Sequence, residues 1–130
     1  MPRADNAIFD LVDAVARTRG FEFPVMWNDT TVASFRSMGK DVGGDDGAAM
    51  LRFAQKPGDE TAAATLSRNP VYVGQVRTTC VPTMLAGGHA PNALPQTATA
   101  TVNCRIFPGV APAAVQAELQ RLAGEAIEVA

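Results

Sequence analysis

The clearest pattern along the chain has period 2. Ala98, Ala100, Val102, Cys104 and Ile106 alternate with Thr97, Thr99, Thr101, Asn103 and Arg105. That spacing predicts a strand with one face packed inward and the other showing hydroxyls, an amide and a guanidinium. Pro108-Gly109 ends it. Upstream, TTCVPTML (78–85) predicts a partner strand, and the loop Ala86 to Gln96 joins the two. A plain hairpin needs a far shorter connection, which marks this loop as a candidate functional segment. It carries the only histidine of the chain, His89, and Asn92, set among Gly87, Gly88, Pro91 and Pro95.

The rest of the pattern is helical. Ile8, Leu11, Val12 and Val15 share one face, with Asp5 as the expected cap, Arg17 and Arg19 in the last turn and Gly20 as the stop. Phe21 to Trp27 predicts an edge strand or an extended segment, because Pro24 cannot sit in a central strand. Asp29-Thr30 is the expected cap of a short helix carrying Val32, Phe35 and Met38, followed by a turn from Gly39 to Gly47. That turn lacks the alternating ligands and closing glutamate of a calcium loop. Asp45 or Asp46 should cap a helix over Ala48 to Gln55, ended by Pro57-Gly58. Asp59 should cap an alanine-rich one stopped at Asn69-Pro70. Residues 30–70 thus predict a small helical insertion, a cap rather than the main core. Pro112 opens a last helix with Val115, Leu119 and Leu122 on its apolar side and Gly124 as its stop. Ile127 to Ala130 predicts the start of a final strand.

Helix, strand, strand, helix, strand predicts an α+β fold, with helices on one face of an antiparallel sheet. The 130 residues suit one domain, 1–130. The net charge of −2 gives no electrostatic case for nucleic acid or an anionic membrane, and no apolar run reaches the ~20 residues of a membrane span.

Most catalytic signatures are missing. There is no phosphate loop, no HExxH and no nucleophile elbow, and one histidine cannot supply a hydrolytic zinc site. A hairpin symmetric about residue 91 puts Cys80 opposite Val102, so Cys80 and Cys104 are expected as two buried thiols, poorly placed to serve as nucleophiles with His89. Asn92 and Arg105 admit two readings. They could form a fork for a planar carboxylate, or be a turn asparagine bonded to its own backbone and a surface arginine.

The stretch TTCVPTMLAGGHAPNALPQTATATVNCRIFPGV resembles the lid, or dimerisation, domain of the M20 family of zinc peptidases and amidohydrolases. The resemblance rests on Gly87-Gly88, Asn92, Pro95, the alternating strand, Arg105 before Phe107-Pro108-Gly109, and the thirteen-residue step from Asn92 to Arg105. PRADNAI resembles the entry to that domain's first helix, and residues 30–70 match least, as an insertion would. The resemblance implies a ferredoxin-like βαββαβ two-layer sandwich that pairs with its twin as a homodimer. It implies that zinc and its ligands sit in a separate catalytic domain, so no residue here is expected to be catalytic or metal-binding. Asn92 and Arg105 are then expected to bind the carboxylate of a peptide or N-acyl amino acid substrate, with His89, Gly87 and Gly88 as further candidates. For His89 a loop-ordering hydrogen bond is the expected role. The family's first lid strand would precede Pro2 and the last strand is cut short at Ala130, so the domain is expected to be trimmed at both ends. The compartment, cytoplasmic or exported, is expected to follow the parent protein.

Overall fold

The computed structural model describes residues 6–130, so the Asp5 cap lies outside the described residues. Among these described residues five helices and one two-stranded antiparallel sheet follow in the order α1 (Ala7–Arg19), α2 (Asp29–Val42), α3 (Gly44–Gln55), α4 (Glu60–Ser67), β1 (Thr79–Gly87), β2 (Ala98–Arg105) and α5 (Pro112–Ala123), with a 3₁₀ turn at Val73–Gln75. The chain is an α+β fold of ferredoxin-like character. It divides into two compact units: Met1–Glu22 with Cys80–Cys104 and Val110–Ala130, and Phe23–Thr79 with Arg105–Gly109.

In the first unit α1 and α5 pack together. Asn6 caps α1, its side chain accepting from the backbone N–H groups of Ile8 and Phe9. Leu11 and Ala14 bury the inner stripe of α1, and Val115 and Ala123 that of α5. Arg17 reaches beyond its own helix: its Nε donates to the carbonyl of Leu122 at 2.7 Å and its Nη2 to that of Ala123. A cation thereby satisfies the orphan carbonyls at the end of α5. Arg121, paired with Glu118, lies 5.7 Å over the Phe21 ring.

The expected final strand does not form. Gln120 Nε2 donates to the carbonyls of Gly124 and Ile127 while its Oε1 accepts from Val129 N, and Gln116 Nε2 donates to the carbonyl of Val129. Two glutamine side chains thus tie residues 127–129 to α5 instead of to the sheet. An open groove of about 680 Å³ lies beside β2, lined by α1, α5, Ala98, Ala100, Val102 and this terminal segment.

The second unit holds the helices predicted as an insertion, and it contains a core of its own. Phe35, Met50, Phe53, Leu66 and Val76 are fully buried. The Phe35 and Phe53 rings meet edge to face at 5.5 Å, with Trp27 against Phe53 at 6.4 Å. These helices are therefore no mere cap. Asn28, one residue ahead of the expected Asp29, caps α2 in a reciprocal box with Thr31.

The turn predicted over Gly39–Gly47 shrinks to Gly43, whose φ of +66° breaks the chain between α2 and α3. The other glycines there serve packing. A Cβ on Gly47 would lie 2.7 Å from the carbonyl oxygen of Gly39, and one on Gly39 would lie 2.7 Å from Leu51 Cγ. The missing side chains let α2 and α3 approach closely. Asp46 does not cap α3, whose N-cap is Gly43, but accepts from Asn69 Nδ2 at 2.9 Å. Asp59 does cap α4, through Ala62 N at 2.9 Å. Phe21–Trp27 is extended rather than a ladder strand, with Met26 N donating to the carbonyl of Val76 at 2.8 Å.

Two outcomes follow from this packing. Helix propensity alone favours alanine over glycine by ~1 kcal/mol, yet Gly47→Ala should lower stability in urea unfolding by about 1–2 kcal/mol because its Cβ meets backbone. A stabilised variant would contradict the close approach. The Ala62 N–H, helped by Arg52, holds the Asp59 carboxylate below its ordinary 3.8. That contribution is complete above pH 3.8 and is lost as pH falls through the depressed value. Asp59→Ala should flatten the acid limb of the stability–pH curve while lowering stability at neutral pH.

Candidate functional site: the β1–β2 hairpin

The hairpin is built by alternation on one strand and punctuation at its turn. In β2, Ala98, Ala100, Val102 and Cys104 are half-buried, while Thr99, Thr101, Asn103 and Arg105 are exposed, as the period-2 pattern requires. β1 is different: every residue from Val81 to Gly87 is exposed. Val81, Met84 and Leu85 leave 55%, 67% and 65% of their surface to solvent. Among the described residues the outer edge of β1 is unpaired, since the sheet has only two strands.

The double glycine has two separate causes. Gly87 runs so close to β2 that a Cβ there would lie 3.1 Å from the Ala98 Cβ and 3.4 Å from Ile8 Cγ1. Gly88 turns the chain out of the strand with a φ of +83°, which strongly favours glycine. These two residues shape the loop by backbone.

The register corrects the reading of the cysteines. Cys80 and Cys104 face each other with Cα atoms 4.0 Å apart and are joined in a disulfide. Thr83 Oγ1 reaches the carbonyl of Thr101, in step with the same pairing. The expected register, symmetric about residue 91, is off by two residues: β1 runs on to Gly87, and the connecting loop extends to Thr97. The two buried thiols of the sequence reading are therefore one cystine, and no cysteine is left as a nucleophile.

His89 and Asn92 are exposed on the loop, and Arg105 is exposed as the last residue of β2. Among the described residues none of the three side chains makes a hydrogen bond or ion pair, and Asn92 does not bond its own backbone in a turn. Nor does the hairpin fold Asn92 onto Arg105. Asn92 precedes β2 and Arg105 closes it, and eight extended residues rise ~24 Å. The thirteen-residue step between them is mostly strand, so the pair is no single fork within one hairpin. Among the described residues no group of three or more His, Cys, Asp or Glu gathers as a metal site. No helix among them is long and apolar enough to cross a membrane.

Two features of this site escaped the sequence reading, the cystine and the bare strand. The first was hidden in the sum of paired residue numbers, which the glycines set. The second was visible only as a lack of alternating polar residues in VPTML. Comparison with curated proteins and with solved structures finds no match for the chain. A family model, that of the peptidase dimerisation domain of M20 type, matches residues 2–129. With nearly its whole length covered by that model, the chain belongs to the M20 peptidase dimerisation domain family.

Proposed function

We propose that this domain forms a homodimer through the outer edge of β1 and lends substrate-carboxylate contacts to a metal-dependent peptidase or amidohydrolase. The observation that carries the reading is the exposure of β1. An unpaired edge flanked by Val81, Met84 and Leu85 is a template for another strand, and natural proteins otherwise blunt such edges. Family membership points to self-association beside a catalytic domain. A two-fold axis pairs β1 with its own copy in antiparallel fashion, which is the closed, isologous way to satisfy such an edge.

That pairing has a consequence for the site residues. In an antiparallel pair of hairpins the loop end of one lies beside the base of the other. Asn92 of one copy and Arg105 of the second then approach the same end of the joined sheet. The separation of Asn92 from Arg105 along one strand is thus what a shared site between two copies requires. Arg105 offers a planar fork of donors to a carboxylate, and Asn92 an amide that can donate to the same group. His89, Gly87 and Gly88 lie on the same loop and would line its approach. The zinc and its ligands belong to the catalytic domain, and the substrate is a peptide or N-acyl amino acid with a free carboxylate.

In the enzyme that carries this domain, Arg105→Ala should raise KM for such substrates by ~2–3 kcal/mol in binding terms with kcat little changed. Unchanged kinetics would sink the assignment. Leu85→Lys places a charge beside the proposed seam and should shift sedimentation from dimer towards monomer. A variant that stays dimeric places the seam elsewhere.

A further inference from the structure

We infer that the Cys80–Cys104 cystine is a redox-sensitive register lock that positions Arg105. The inference rests on the carboxylate role proposed for Arg105. Burial normally specifies strand register, because a slip would expose the buried face. β1 makes little use of this device, since Val81 to Gly87 are all exposed. A slip by two residues keeps every side chain on its own face, so alternation along β2 does not oppose it either. The covalent tie in the pairing of this ribbon is the bond between Cys80 and Cys104, beside the Thr83–Thr101 and Thr78–Phe107 hydrogen bonds.

Arg105 is the residue next to that bond, and on its other side Phe107 N donates to the buried Thr78 Oγ1 at 3.0 Å. Its backbone is therefore bracketed by one covalent tie and one hydrogen bond. With the cystine closed, Arg105 holds one place along the strand. With it open, the Phe107–Thr78 hydrogen bond is the tie left at that end against a two-residue slip, which displaces the guanidinium by ~7 Å, beyond the reach of a contact that needs atoms about 3 Å apart. Both cysteines are half-buried rather than sealed in a core, so a small dithiol can reach them.

The chemistry balances with a dithiol as reductant. Its thiolate attacks one sulfur of the cystine, the other sulfur leaves as a thiolate, and the second thiol of the reductant then displaces the first cysteine. Two electrons and two protons pass to Cys80 and Cys104, and the reductant ends as its own cyclic disulfide. An oxidising compartment keeps the lock closed, and a dithiol-rich one opens it.

The test uses the enzyme that carries this domain, with and without dithiothreitol, beside the Cys80→Ser/Cys104→Ser variant. Amide hydrogen exchange is followed over residues 98–107, and KM and kcat are measured on the same samples with an N-acyl amino acid. Reduction should speed exchange across 102–105 by roughly tenfold and raise KM about fivefold, with kcat within about twofold. The serine variant should show both changes without reductant and ignore dithiothreitol, which separates this bond from any other effect of the reagent. Unchanged exchange on reduction overturns the lock. So does faster exchange with an unchanged KM in an enzyme where Arg105→Ala does raise KM. If Arg105→Ala leaves KM alone, the carboxylate role has failed by itself, and exchange still decides whether the cystine holds the register.

Discussion

A two-stranded ribbon cannot satisfy itself. Each strand has backbone donors and acceptors on both sides, and pairing β1 with β2 uses only the inner rows. β2 meets this constraint by alternation, turning its half-buried residues from Ala98 to Cys104 to one side and its hydroxyls, Asn103 and Arg105 to the other. β1 does not meet it. Its unpaired edge and exposed apolar side chains are the basis of the proposed seam, and the family of the chain is one of dimerisation domains.

Register links this constraint to chemistry. Where burial does not choose the pairing, a covalent bond can, and the Cys80–Cys104 disulfide sets which residues stand opposite. The glycines at the other end complete the frame, Gly87 by close approach and Gly88 by its left-handed turn.

Much of this was legible in the residues. The period-2 run declared β2 and its two faces, and the i, i+3, i+4 spacing declared α1 and α5. Asp59 announced its own helix through a carboxylate at the N-cap. What was not legible depended on contacts distant in sequence. Four glycines between residues 39 and 47 signal a turn by local propensity, yet Gly39 and Gly47 are helical because they let two helices touch. Ile127 to Ala130 has strand propensity, but Gln116 and Gln120 capture its backbone. Register cannot be read from a loop whose glycines decide where the strands stop, so the cysteines passed for thiols. The spacing of Asn92 and Arg105 matches a family pattern, and most of the step between them is strand β2.

The central claim is that one site draws Asn92 and Arg105 from different copies. Mixing subunits tests it directly. Asn92→Ala and Arg105→Ala enzymes, each impaired alone, are unfolded and refolded together or co-expressed, and activity is measured at a substrate concentration well below KM. If the two residues act across the seam, each mixed dimer contains one site with both residues intact and one with neither. Activity then recovers to about a quarter of the wild-type value when half the dimers are mixed. If both residues act within one copy, no site in the mixed dimer is whole, and activity stays at the level of the separate variants.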